Sequence, residues 1–188
     1  HNITLNPTPN VTYTAIPNVC ANASAFNLTQ FTETTGLPGS FTYTGTGVSG
    51  NSFNPATSGV GTFQVIATYN TSNGCKDADT TSVTVWPLPT VDFTIGTLNC
   101  EKSAITFADN SVSNGGALSN WSWNFGDATA NGTGSSTSHT YQTANSYTVT
   151  LTVKNGNNCV ASGSTPLVVR NRPFANFSLP TAVCLPSG

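Results

Sequence analysis

Charged side chains are scarce in this chain: Asp, Glu, Lys and Arg make up only 6% of its 188 residues, five of them cationic and seven anionic. Five scattered Lys and Arg form no basic stripe, so the sequence has nothing with which to neutralise a phosphate backbone or an anionic membrane surface. Disorder is excluded from the other side. A disordered chain combines low hydrophobicity with high net charge, whereas here 37% of residues are hydrophobic and the net charge is −2. Histidine occurs twice, once at position 1, which leaves no Ser-His-Asp or Cys-His arrangement for catalysis; the chain reads as a non-enzyme. No apolar run approaches the roughly 18 residues that span a bilayer. No signal-peptide pattern opens the chain, so any export signal or anchor is expected outside this segment. The glycine-rich stretch Gly45 to Gly50 lacks the Gly-Lys-Ser/Thr ending of a phosphate loop and reads as a β-turn. No cofactor is implied.

What is abundant is threonine beside Val, Tyr, Phe and Ile, as in VTYTA (Val11 to Ala15), FQVIATY (Phe63 to Tyr69) and SYTVTLTV (Ser146 to Val153). Branched and aromatic side chains fit a pleated, half-buried surface. In the last of these, Tyr147, Val149, Leu151 and Val153 alternate with Thr148, Thr150 and Thr152, which puts apolar groups on one face and hydroxyls on the other. No helical period of useful length competes. Short strands punctuated by Gly, Pro and Asn predict an all-β sandwich.

An internal repeat organises these strands. ITLNPTPNVTYT (Ile3 to Thr14), VTVWPLPTVDFT (Val83 to Thr94) and LVVRNRPFANFS (Leu167 to Ser178) align as strand, Pro-bearing linker and strand. The cysteines give the same period independently: Cys20, Cys100 and Cys184 form one series, Cys75 and Cys159 another. The expected organisation is the last strand of an upstream repeat (1–7), two complete domains (8–87 and 88–171) and the first strand of a further repeat (172–188). The parent is therefore expected to be longer.

The second unit carries WSWNFGD (Trp121 to Asp127), STSHTY (Ser136 to Tyr141) and SYTVTLTV in that order. This run resembles the PKD (polycystic kidney disease) domain, an immunoglobulin-like sandwich, with Trp123, Phe125, Gly126, Asp127, His139 and Tyr141 on the motif positions. Asn124 and Ala128 depart from it, where the pattern usually has Asp and Gly, so the turn there is expected to be altered. The first unit lacks that motif but reads CANASAFNLTQF (Cys20 to Phe31), then SFTYTGTGVSGNSFNPATSGVGTFQVIATY (Ser40 to Tyr69) and NGC (Asn73 to Cys75), which resembles the Ig-like repeats of very large Bacteroidota surface proteins. Together these resemblances imply antiparallel Ig-like (PKD-type) sandwiches arranged end to end, in an extracellular fibre, adhesin stalk or gliding-type filament. The competing reading is a spacer or carbohydrate-binding module of a secreted polysaccharide- or protein-degrading enzyme. Implied partners are neighbouring repeats of the same chain, identical chains in a filament, and surface glycans.

Cysteines at a fixed period point to an oxidising compartment. An Ig-like topology bears on their pairing. Cys100 precedes the second strand (about Ser103 to Asp109) and Cys159 follows the hairpin after the sixth, so the two sit at opposite ends of one sandwich. Seven strand residues separate those ends by roughly 23 Å, against a Cα separation of about 7 Å at most in a disulfide. A bond between neighbours, Cys20 with Cys159, is favoured, with Cys75, Cys100 and Cys184 reaching to adjoining repeats. Cys20 with Cys75 and Cys100 with Cys159 remains the alternative.

Individual residues have competing roles. His139 is expected to pack or hydrogen-bond at a corner and not to bind metal. Asp109 and Asp127 are candidate Ca²⁺ ligands, though turn capping accounts for both. Trp123 and Phe125 are core by parity; Trp121, on the same face at the rim, is a possible sugar platform, and Trp86 is expected to cover the domain junction. Asn-X-Ser/Thr triplets recur at Asn10, Asn22, Asn27, Asn70, Asn120, Asn131 and Asn176, and Asp79-Thr80-Thr81 resembles a Bacteroidota O-glycosylation signal on Thr80.

Overall fold

The computed structural model describes residues 5–176. The first half comprises β1 (Val11–Tyr13), β2 (Val19–Cys20), β3 (Phe26–Asn27), β4 (Phe31–Glu33), β5 (Gly39–Thr44), β6 (Val48–Ser49), β7 (Ser52–Phe53), α1 (Pro55–Ser58), β8 (Gly61–Thr71) and β9 (Lys76–Trp86). The second comprises β10 (Phe93–Ile95), β11 (Ala104–Asp109), β12 (Leu118–Asn124), β13 (Gly132–Thr133), β14 (Ser136–Thr140), β15 (Asn145–Asn155) and β16 (Val160–Val169). Of the expected flanking strands, residues 1–4 and 177–188 lie outside the described residues, and 5–7 and 172–176 carry no regular structure.

Two hydrophobic cores form with no member in common. Val65, Ala67 and Tyr69 of β8 and Val83 and Val85 of β9 meet Val11, Phe31 and Phe53 in the first. Val149, Leu151 and Val153 of β15 meet Ile105, Phe107, Trp123 and Tyr141 in the second. The period-two alternation shows in the long strands: Val65, Ala67 and Tyr69 of β8 and Val149, Leu151 and Val153 of β15 are buried, while Thr62 and Thr68 of β8 and Thr148, Thr150 and Thr152 of β15 lie on the other face. In the second sandwich the sheet β10-β11-β14 lies against β13-β12-β15-β16. In the first, the four-stranded sheet β2-β9-β8-β5 is opposed by the two-stranded β1-β4 and the three-stranded β3-β7-β6. All pairings are antiparallel except β2 with β9, where Val19 and Cys20 run parallel to Val85 and Trp86, and its counterpart, a parallel bridge between Cys100 and Arg170.

The only helix among the described residues is α1, a single turn. Asn54 caps it, its Oδ1 accepting from the Ala56 N–H at 3.0 Å, and Pro55 opens it. Four residues are too few for a helical period to show in the sequence.

Candidate functional site

The described residues contain no group of three or more His, Cys, Asp and Glu placed to hold a metal ion, and the chemistry of the chain concentrates where the two sandwiches meet. Cys20 is fixed beside the start of the linker by its pairing with Trp86, and the Ala21 N–H donates to the Trp86 carbonyl at 2.9 Å. Cys159 lies at the turn between β15 and β16 and is fully buried. The structure joins these two in a disulfide with Cα atoms 5.6 Å apart, within the range an unstrained backbone accepts. The within-domain alternative is not formed. Cys100 bridges to Arg170 at the far end of β16, and Cys159 precedes its near end; eleven residues of extended chain separate them by roughly 35 Å. Cys75 and Cys20 stand in the same relation across β9.

Asn155 holds the hairpin to the linker. Its Oδ1 accepts from the Asn157 and Cys159 N–H groups at 3.1 and 3.0 Å, and its Nδ2 donates to the Pro87 and Ser113 carbonyls at 3.3 and 3.0 Å. The side chain is fully buried, so these four bonds replace the water it has lost. Asn114 grips the next part of the linker, donating to the Leu88 carbonyl at 2.8 Å and to Thr90 Oγ1 at 2.9 Å. Two backbone bonds of 2.9 Å between Thr90 and Val112 close the seam. Pro89 is buried and Trp86 half-buried beside it. Neither asparagine stood out in the sequence. The available signal was parity: Asn155 continues the buried series Val149, Leu151, Val153, where a polar residue needs partners.

The remaining thiols sit in copies of this geometry. At the Cys75 hairpin the Thr71 N–H donates to the Cys75 carbonyl at 2.9 Å and the Gly74 N–H to Thr71; at the Cys159 hairpin Asn155 and Cys159, and Asn158 and Asn155, do the same. Gly74 and Asn158 both take positive φ, 85° and 64°. At the other pole, the Glu101 N–H donates to Arg170 as that of Ala21 does to Trp86. Cys75 and Cys100 are unbonded and half-buried; Cys184 lies outside the described residues.

The motif residues of the second sandwich form one cluster. His139 stacks on Phe125 with ring centres 4.1 Å apart and bonds Asp127 through Nε2 at 2.7 Å. Tyr141, fully buried, meets the His139 ring edge-on and donates to the Phe125 carbonyl at 2.9 Å. Burial works against ionisation of Asp127, but bonds from Thr129 and His139 outweigh it and hold the carboxyl below its ordinary value. Burial, with the Asp127 charge, pushes the Tyr141 phenol up. Trp123 is fully buried, and its indole donates to the Gly134 carbonyl at 2.9 Å.

The other candidate residues have their own partners. Trp121 is half-buried against the core, and its indole donates to Asp109 Oδ2 at 2.6 Å; a side chain so engaged is not a free sugar platform. Asp109 also caps the turn at Ser111. It lies beside Ser135, and Asp127 beside His139, four residues further along β14, a separation on the order of 13 Å. At the altered turn, Asn124 Oδ1 accepts from the Gly126 N–H at 2.9 Å, and Ala128 is forced to φ 62° where the family has glycine.

The PKD domain model matches residues 86–169, the span from the junction to the end of β16. This part, a little under half of the chain, is similar to the PKD domain. No curated protein matches the sequence. Among solved structures, the PKD1 domain of Vibrio anguillarum Epp is 22% identical at TM-score 0.41, covering 45% of this chain and 96% of that one. The PKD1 domain of the Vibrio cholerae metalloprotease PrtV is 23% identical at TM-score 0.40, covering 44% and 98%. The fibronectin(III)-like modules of Clostridium thermocellum CbhA are 12% identical at TM-score 0.43, covering 90% and 100%. A PKD domain carrying a disulfide fits an extracellular structural or binding module. No helix among the described residues is long and apolar enough to cross a membrane.

Proposed function

We propose that this segment is two repeats, residues 8–87 and 88–171, of a long extracellular stalk or filament whose function lies in its joints. The carrying observation is that Cys75 and Cys100 occupy the backbone settings of Cys159 and Cys20, the pair already bonded. A hairpin cysteine at one pole and a first-loop cysteine at the other complement the neighbours that the repeat implies. Leu5 supports the same reading: it is 90% exposed but stands in the register of Val85 and Val169, which are 1% and 2% exposed. Its side chain fits the core of a preceding unit. Residues 1–7 and 172–188 then belong to the adjoining repeats, with Cys184 continuing the first-loop series. A Bacteroidota source is part of the same proposal, and Thr80, exposed on β9, is the proposed site of an O-linked sugar, visible as added mass on the native peptide.

The test is non-reducing peptide mapping of the secreted parent protein. Cys100 is expected in a bond to the hairpin cysteine of the following repeat and Cys75 in one to the first-loop cysteine of the preceding repeat. Free thiols at both, or bonds closed within one sandwich, would overturn the reading. Electron micrographs of the same material are expected to show thin, straight filaments with a repeat of one or two domains.

A further inference from the structure

The position of the disulfide relative to the strands defines how force would cross the molecule. Cys159 lies immediately before β16, and Arg170 immediately after it, where the chain leaves the second sandwich. β16 therefore runs from one pole of its domain to the other as a single strand already near full extension, about 3.3 Å per residue. Tension entering from the first sandwich at Cys20 crosses the sulfur bridge to Cys159, runs along β16 and leaves at Arg170. None of β3 to β15 is in series with that path. The backbone between the bonded cysteines, which lie 139 positions apart, forms a closed covalent loop, which pulling on the ends cannot lengthen. β9 has the same placement between Cys75 and the linker at Trp86.

We infer that the last strand of each sandwich is a tension-bearing cable, fed at its start by the inter-domain disulfide, while the rest of each domain is a sheath shielded from extension. This deepens the stalk reading and rests on it only for the presence of load; the cable itself follows from one bond and one strand. Within the first sandwich only the segment before Cys20, which holds β1 and Val19 of β2, remains outside the loop. Force on an oxidised chain therefore has that short segment to peel, and no domain to unravel. A reducing environment would convert the same chain into two extensible domains in series, which makes the limit on extension redox-dependent.

The experiment is single-molecule stretching of the full chain, held by enzymatic tags at both termini so that no cysteine is used for attachment. The oxidised chain is expected to reach its limit without domain-sized steps, and at a contour length shorter than that of the dithiothreitol-treated chain by roughly 460–500 Å, from about 3.3–3.6 Å for each of the 139 residues. The double variant Cys20→Ser with Cys159→Ser is expected to give the long contour and two domain-sized steps with or without reductant. Peptide mapping of the same oxidised sample separates the outcomes. Bonds found within each sandwich overturn the staple and with it the stalk reading. A mapped Cys20–Cys159 bond with domain-sized steps still present overturns the cable alone.

Discussion

At the scale of single residues, a buried amide is costly unless all of its hydrogen-bonding groups are paired, and Asn155 pairs them across three segments. Asn155→Ala would leave the Pro87 and Ser113 carbonyls and the Cys159 N–H without their partner. It is expected to cost about 2–4 kcal/mol in denaturant unfolding of the second domain, and to make the disulfide easier to reduce with glutathione because the hairpin no longer holds Cys159 in place. Ala128 is the opposite case. Its left-handed backbone costs an L-residue on the order of 1 kcal/mol, so Ala128→Gly is expected to raise the thermal midpoint, by an amount trimmed by the extra freedom glycine has in the unfolded chain. Glu33 supplies a pH signature. Hydrogen bonds led by the Thr35 hydroxyl, and including the Thr35, Asn10 and Gly36 N–H groups, hold its carboxyl down at about 2. A depressed folded value means that the contribution is complete above the ordinary value of 4.5 and is lost as pH falls toward 2. Glu33→Gln is therefore expected to flatten the acid limb of a stability-against-pH curve between those values while leaving the neutral plateau in shape.

At the scale of elements, the long strands were legible in the sequence because alternation is a direct image of a sheet with one wet face. Tyr147 to Val153 faces inward as its parity demands, and the linker prolines sit where the repeat puts them. The wet face has few charges because hydroxyls pair across it: Thr150 with Ser164 and Thr152 with Ser162 at 2.8 Å, Thr62 with Thr84 at 3.0 Å. β16 ends its sheet, and Pro166 within it removes one donor from that open edge, which discourages pairing with stray strands. The short strands and α1 were not legible, since two to four residues carry no period. The site was half legible: cysteine spacing pointed to the junction, but the asparagines that hold it look like any others in so Asn-rich a chain. Their weight can be measured. Asn114→Ala removes both side-chain bonds to the linker, and the amides of Thr90 and Val112 are expected to exchange with solvent faster, by a factor corresponding to about 1–2 kcal/mol of local opening.

At the scale of the whole molecule, a bond between two domains couples stabilities that a bond within either would leave separate. Cys20 belongs to the first sandwich and Cys159 to the second. Opening either domain in the oxidised chain leaves its cysteine tethered to the folded partner, so the entropy gained on unfolding is curtailed for both. In the chain-entropy account a closed loop of this length is worth about 4–5 kcal/mol against the fully unfolded state. Cys20→Ser is therefore expected to lower the melting transitions of both sandwiches in calorimetry, although it alters only the first. Cys159→Ser should do the same, and the double variant should be no worse than either single one, because each single change already removes the whole bond. Pairing within each sandwich predicts a different pattern. Cys20→Ser would then touch only the first transition, Cys159→Ser only the second, and the two losses would add. Non-additivity with both transitions moving together is thus the thermodynamic signature of a joint that couples the unfolding of the two sandwiches.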